Sequence, residues 1–481
     1  MPSLNHSGDA VFYEVVVVGG GPTGLMAAAD LAAAGVRVAL AERRRHSDPN
    51  VTRAFGVHAA TLEQLDIRGI AEDLISTGNR VQRVRLFDAV RVDLARLPSR
   101  FNYLLIAPQS QTEKVLRDRA VAAGVEFLSG LEVMTLTQDD HEVLTRARRE
   151  DGSTVDLRSR YAVGADGVGS TVRRHIGVDF PGKSVLKSIM LADVRMTDPP
   201  RQRLAMTAVG EGFTVVVPFG DGWYRVIAWR RGSQAEPNEP VQLDEVRWVA
   251  ELTLGTDHGM HSPRWLSRFH SDERLAAAYR VGRVFLAGDA AHVHSPAGGL
   301  GMNAAIQDAA NLGWKLAAVL RGRAAESLLD TYQAERRPVG SQVIRTSGAL
   351  LRMATMKSPL GRTARNMLGR LVASVPAAAD HAAGTVSGLS LRYKPPKGAD
   401  RRVGRRAAAL SLADRRMHQV LASGDFAVVS TEEPDGLPRH VRWVQPEAQV
   451  NESAQIDEPV LVRPDGYIGW IGDLSDYPFW A

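Results

Sequence analysis

Residues 14–42 read EVVVVGGGPTGLMAAADLAAAGVRVALAE, from Glu14 to Glu42, and this stretch decides the fold. The valines Val15 to Val18 form a β-branched run of the kind buried on both faces of a parallel sheet. A glycine-rich turn follows. Leu25 to Ala34 is alanine-rich and predicts a helix, Gly35 ends it, and Val36 to Leu40 predicts a second strand. The turn of this compact βαβ unit carries Gly19-x-Gly21-x-x-Gly24. Glycines there let the backbone turn tightly and approach a pyrophosphate, and the helix start turns free N–H groups and a positive dipole end toward the phosphates. Glu42 ends the second strand, where a carboxylate can hydrogen-bond ribose hydroxyls. Strand, turn, helix and acid together predict a site for an adenine dinucleotide. They do not choose between NAD and FAD.

Two later segments make that choice. Ala162-Val163-Gly164-Ala165-Asp166-Gly167, followed by Ser170 and Arg173, is a strand end with an Asp-Gly turn. Phe285-Leu286-Ala287-Gly288-Asp289-Ala290-Ala291-His292 is another strand ending in Gly-Asp, and Ser295 to Asn303 is a glycine loop that opens a helix over Asn303 to Leu320. An aspartate at a strand end suits ribityl hydroxyls, and a glycine loop admits a flat ring. The helix start offers N–H donors where the negative charge of a reduced flavin develops. An NAD dehydrogenase needs no such second element, so the expected cofactor is FAD.

Elsewhere, His58 to Arg68, Gln111 to Ala123 and most of Leu328 to Ala379 predict helices. Between Asp179 and Arg280 the texture changes: Leu191–Met196, Thr214–Pro218 and Tyr224–Trp229 predict strands of a more antiparallel sheet, rich in Trp and Phe and suited to a wall over a substrate. A linker is expected at Lys394 to Gly398, and beyond it a hairpin turned at Pro464-Asp465-Gly466. Of 481 residues, 44% are hydrophobic and 23% charged, enough for several sizeable cores. Lys+Arg number 59 against 54 Asp+Glu, and the clearest basic run is Arg43 to Arg45, so no nucleic-acid partner is expected. Without cysteine there is no disulfide, thiolate metal site or thiol redox pair. The first ten residues lack the pattern of a signal peptide and no apolar stretch is long enough to span a bilayer, so a soluble cytoplasmic protein with no membrane partner is expected.

The glycine turn, the Asp-Gly motif and the Gly-Asp flavin loop, taken jointly, resemble those of the class A FAD-dependent aromatic hydroxylases, the para-hydroxybenzoate hydroxylase-like family. The likeness is strongest to the actinomycete branch that includes polyketide hydroxylases and rifampicin monooxygenase. It implies an α/β fold: a Rossmann-like FAD-binding domain over 12–178 and 281–393, an inserted and mostly antiparallel β-sheet substrate domain over 179–280, and a thioredoxin-like C-terminal domain without cysteines over 399–481. It also implies that Gly19, Gly21, Thr23 and Gly24 hold the pyrophosphate, Glu42 the adenosine ribose, with Arg43 and the Val133 backbone near the adenine. Arg53, in Thr52 to His58, matches the family arginine near the flavin, and Gln109 a glutamine that contacts the cofactor. Asp166 is tied in the family to FAD and NAD(P)H, and Asp289 to the ribityl chain. Pro296, Gly299, Leu300, Gly301, Met302 and Asn303 would line the isoalloxazine, with Arg53 and Pro296 nearest the chemistry.

The activity this resemblance implies is hydroxylation of a large aromatic, polyketide-like small molecule. NAD(P)H, a transient co-substrate, reduces the flavin, which then forms a C4a-hydroperoxide with oxygen; the protein supplies position, electrostatics and dryness. The chain is expected as a monomer or homodimer. Related outcomes stay open: oxygenation that inactivates an antibiotic, Baeyer–Villiger insertion, a flavin reductase that does not activate oxygen, or a ligand-binding protein without turnover. His292 and His294 lack companions for a metal site, so none is expected. His58 is read as a capping or buried residue, and Trp223, Trp229, Trp248 and Trp265 as core packing before substrate stacking.

Overall fold

The computed structural model describes residues 11–45, 54–87, 90–200, 204–233, 235–236, 238–407, 410, 412, 416–447 and 458–480. Arg53 lies outside them.

The valine run forms strand Val11–Val18, with Val15, Val16 and Val17 wholly buried. It pairs in parallel with Val38–Glu42 on one side and Thr154–Gly164 on the other. The sheet continues in parallel to Glu126–Ser129 at one edge and to Val284–Leu286 on the other side, where Arg280–Val281 adds a short antiparallel edge strand. Two antiparallel strands, Leu131–Gln138 and Val143–Arg149, extend it from Thr154–Gly164. Helix Pro22–Ala33 packs on helices Gln109–Ala122 and Gly301–Leu320.

Register is what builds the site. Val18 is paired with Gly164, and Gly164 with Leu286. The glycine turn, the Asp-Gly turn and the Gly-Asp turn therefore leave the carboxyl ends of three adjacent parallel strands side by side. That edge is where open α/β sheets bind ligands.

The second large sheet runs His292–Val293, Met260–Leu275, Gly182–Met196, Tyr224–Arg230, Gly212–Pro218, Ala205–Ala208, Arg83–Leu86 and Val90–Asp93. The sheet is mostly antiparallel, as expected, but mixed: among the described residues, Ala205–Ala208 pairs in parallel with Arg83–Leu86 while its other strands pair antiparallel. The reason is connectivity: Arg83–Leu86 arrives from far upstream, and no hairpin turn forces it to run against its neighbour. A small antiparallel sheet, Gly56–Val57, Leu104–Ile106 and Asn79–Val81, precedes Gln109 in the chain.

At the C-terminal end, Val441–Val444, Phe426–Val429, Val460–Val462 and Ile468–Ile471 form a four-stranded sheet with one parallel pairing. The hairpin turned at Pro464 to Gly466 is present, and Gly466 adopts φ +80° there. Buried charge ties this unit to the remainder. Glu335 accepts hydrogen bonds from Arg463 and from Lys315 Nζ at 2.8 Å, and Arg463 also pairs with Asp465. Burial pushes the Glu335 carboxyl up, but Arg463 and Lys315 outweigh it and hold it low. Arg406 pairs with Glu63, and Gln64 Nε2 donates to the Asp465 carbonyl at 2.8 Å. Among the described residues no helix is long and apolar enough to cross a membrane.

Candidate cofactor site

A cavity of about 400 Å³ opens at the carboxyl ends of the parallel strands. It is lined by Gly19 to Gly21, Glu42, Arg43, Gln109, Val133 and Asp166. Residues from five separate segments thus converge on one cleft.

Steric limits explain the glycines. Gly19 has φ +107°, and a Cβ there would lie 2.3 Å from the Ala165 carbonyl oxygen, so the first turn is pressed against the Asp-Gly turn. A Cβ on Gly24 would lie 1.9 Å from the Gly19 carbonyl oxygen. Gly21 differs: a Cβ there would meet no protein atom within 4 Å. Its bareness has no packing reason and faces open space, as close approach by a ligand requires. Helix Pro22–Ala33 starts without a side-chain cap, leaving its first N–H groups available. These features fit an adenine dinucleotide pyrophosphate.

Glu42 accepts hydrogen bonds from Gly20 N at 2.6 Å and from Arg44 N at 2.9 Å. Burial pushes its carboxyl up, but hydrogen bonds from Arg44 and Gly20 prevail and keep it below the ordinary range. It remains an ionised acceptor. Gln109 opens helix Gln109–Ala122 and donates to Glu113 Oε1 at 2.8 Å. Asp166 accepts from the Thr171 and Val172 backbone N–H groups at 2.7 and 3.1 Å and from the Ser170 hydroxyl. Its side chain thus caps the short helix Thr171–His175 while lining the cleft.

The flavin-loop residues assemble beside this cleft. Gly288 has φ +61°, and a Cβ there would lie 2.4 Å from Thr23 Oγ1, so the first and last motifs abut. Asp289 is exposed in the same turn, Gly288–Ala290. Pro296 is exposed, and its carbonyl accepts from Gly299 N at 3.0 Å. Helix Gly301–Leu320 also begins without a side-chain cap, while Leu300 and Met302 are buried at its start. Asn303 is turned inward: its Oδ1 accepts from His58 N at 2.8 Å, and its Nδ2 donates to the Gly56 and Gly299 carbonyls at 2.9 and 2.7 Å. Its side chain staples the loop to strand Gly56–Val57.

His58 is buried, its Nε2 lies 2.9 Å from the Gly298 carbonyl, and burial pushes its imidazole down to about 4. It is a neutral donor to the flavin loop. Of the tryptophans, Trp229 is buried and stacked on Phe213 with centroids 5.7 Å apart. It belongs to an apolar cluster with Phe87, Leu191, Phe269 and Leu351, against which Phe55 and Ala297 pack. That cluster brings an aromatic wall to the residue following Pro296. Trp248 is exposed under Arg230, and Trp223 and Trp265 are half-buried beside arginines.

A buried ionic centre beneath the loop escaped the sequence reading. Asp308 accepts from Arg336 Nε at 2.7 Å, His292 Nε2 at 2.8 Å and Gly288 N at 3.2 Å. Arg336 also donates to the Ala304 carbonyl and to Tyr393 Oη. One carboxylate thereby fixes the Gly-Asp turn, while its arginine holds the helix start. The available signal was the one carboxylate in a largely apolar helix, which must have a partner if buried.

Fold and site together define an FAD-type dinucleotide-binding α/β protein. The sequence matches the FAD binding domain family over residues 12–347, and the chain belongs to that family. It is 37% identical to a rifampicin monooxygenase from Streptomyces venezuelae, over 97% of this chain and 98% of that protein. It is similar in structure to an anhydrotetracycline hydroxylase from Streptomyces rimosus (TM-score 0.83, 34% identity, 97% of this chain and 96% of the other). A comparable match is an aromatic hydroxylase from angucycline biosynthesis (TM-score 0.83, 36% identity, 97% and 96%).

Proposed function

We propose that this chain is an FAD-dependent monooxygenase that hydroxylates a large aromatic, polyketide-like small molecule, with NAD(P)H as transient reductant. The observation that carries this reading is the alignment of three glycine-bearing turns on one sheet edge, beside an aromatic cluster that reaches Ala297 of the flavin loop. FAD, when bound, supplies the redox and oxygen chemistry.

The chain's own residues have distinct tasks in this reading. Gly19, Gly21, Thr23 and Gly24 seat the pyrophosphate, and Glu42 binds the ribose as an ionised acceptor. Arg43 and Val133 border the adenine, Gln109 and Asp166 the middle of the cofactor, and Asp289 the ribityl chain. Pro296 and Gly299 to Asn303 border the ring, and the uncapped start of helix Gly301–Leu320 stabilises negative charge at its edge. Arg53 is assigned by the family pattern alone. Trp229, Phe213 and Phe87 form a buried apolar wall that keeps water from the flavin loop. The C-terminal unit is read as a cysteine-free thioredoxin-like scaffold, supported by its mixed four-stranded sheet and its buried ties to Glu335.

Absorbance of the purified protein, followed by NAD(P)H oxidation with fused-ring phenols, tests the reading. One FAD per chain and substrate-stimulated oxidation are expected. Colourless protein that neither takes up FAD nor oxidises NAD(P)H would sink it.

A further inference from the structure

An open cleft of about 1080 Å³ lies at the far edge of the second sheet, lined by Arg80, Arg83, Arg85, Arg91 and Arg100 with Asp93 as the sole carboxylate among its described lining residues. Arg100 is committed to Asp66 at 3.1 Å and to Glu72. Arg80, Arg83 and Arg91 are exposed and form no ion pair with any described residue. Strand register places Arg83 opposite Asp93 and Arg85 opposite Arg91, alternating with Val84 opposite Val92. Both charged pairs therefore share one face, and directly opposed arginines cost a hairpin stability. Such a concentration of guanidinium groups favours a multiply charged anion that can accept bidentate hydrogen bonds.

One end of the cleft is linked to the flavin loop through the small sheet. Arg80 is paired with Leu105, and Leu105 with Val57, so the three lie in a row across the small sheet. Two strand spacings separate Arg80 from Val57 by about 10 Å. The next residue, His58, is hydrogen-bonded to Asn303. A dinucleotide anchored by its phosphates at the arginines would span that interval.

We infer that this cleft binds the phosphate groups of the reductant and selects a nicotinamide dinucleotide bearing a 2′-phosphate. The inference rests on the reductant named under the proposed function. It makes NADPH the preferred donor, since NADH lacks the extra dianion.

Rates of FAD reduction by NADPH and NADH in the wild type, Arg83→Glu/Arg91→Glu and Arg83→Gln/Arg91→Gln test it, with FAD content as the control for folding. The wild type should prefer NADPH. The charge-reversed variant should lose that preference by about tenfold or more, the scale of one charge-assisted hydrogen bond, and the neutral variant by less. Adenosine 2′-phosphate should inhibit NADPH-dependent reduction in the wild type more strongly than inorganic phosphate, and neither should inhibit the charge-reversed variant. A wild type that prefers NADH, or a variant that retains FAD and keeps its preference within twofold, overturns the inference while leaving the oxygenase reading intact. FAD-loaded wild type reduced by neither nucleotide overturns the reductant itself.

Discussion

Replacing Asp308 with asparagine removes one charge from a centre that is 1% exposed and holds the flavin loop from beneath. The side chain volume is nearly unchanged, so the effect is electrostatic. Wherever the new amide nitrogen points, it meets donors: Arg336 Nε on one side, or His292 Nε2 and Gly288 N on the other. With the nitrogen toward Arg336, that fully buried guanidinium would keep only the Ala304 carbonyl at 3.1 Å and Tyr393 Oη at 3.2 Å; with it turned the other way, the Gly288 N–H loses its acceptor. Stranding one partner of a buried ion pair costs about 3–5 kcal/mol, and the orphaned donors overlap with that figure rather than adding to it. Burial pushes the Asp308 carboxyl up, but Arg336 and His292 hold it below its ordinary value. A depressed folded-state pKa gives stability that is complete above the unfolded value, about 3.9, and is lost as pH falls through the folded value. The variant should therefore lose about 3–5 kcal/mol at pH 7, with the gap closing only below about pH 4. Urea unfolding of the FAD-free protein at pH 7 and in acid measures this, and a titration with FAD should show an affinity about tenfold weaker, equivalent to 1.4 kcal/mol. A variant within 1 kcal/mol of wild type at pH 7 with unchanged FAD affinity would refute the assignment of Asp308 as the anchor of the Gly288 turn.

Gly21→Ala should leave the melting temperature of the FAD-free protein unchanged and weaken FAD binding by about tenfold or more, because its methyl enters only the ligand space; Gly24→Ala should destabilise the FAD-free protein, because its methyl meets the Gly19 carbonyl. Burial lowers the His58 imidazole to about 4, so the unfolded chain binds more protons between that value and about 6.5, and stability should fall by about 3 kcal/mol as pH drops through this window. His58→Gln should flatten that dependence in unfolding curves at pH 4.5 and 7, and an unaltered slope would assign it to other groups. Arg463→Met leaves Glu335 with Lys315 but takes the guanidinium from buried Asp465, and should cost about 3 kcal/mol, with limited proteolysis releasing the C-terminal unit first; equal protease resistance would show that these charges do not hold it.

The parallel sheet and the three turns were legible in the sequence because local chemistry specifies them. Val15 to Val18 can only be buried, and Gly19 and Gly288 occupy backbone conformations that favour glycine. Helix Gly301–Leu320 and the hairpin at Pro464 to Gly466 followed from the same local signals. What escaped depends on long-range pairing. Nothing local to Arg83–Leu86 says that it joins Ala205–Ala208 in parallel, and nothing near Asp308 names Arg336 as its partner. The same holds for Asn303, whose place in the glycine loop suggests a ligand contact while its amide is taken up by Gly56, Gly299 and His58.

In the function proposed above, the cleft holds FAD and the enzyme transfers one atom of molecular oxygen to an aromatic substrate. Turnover of the FAD-loaded protein with NADPH and a fused-ring phenolic substrate under ¹⁸O₂, followed by mass spectrometry of the product, tests it most directly. One ¹⁸O atom per product molecule, in proportion to NADPH consumed, is expected. Product labelled only from water, or NADPH consumption that yields hydrogen peroxide and unchanged substrate across the fused-ring phenols, would contradict it.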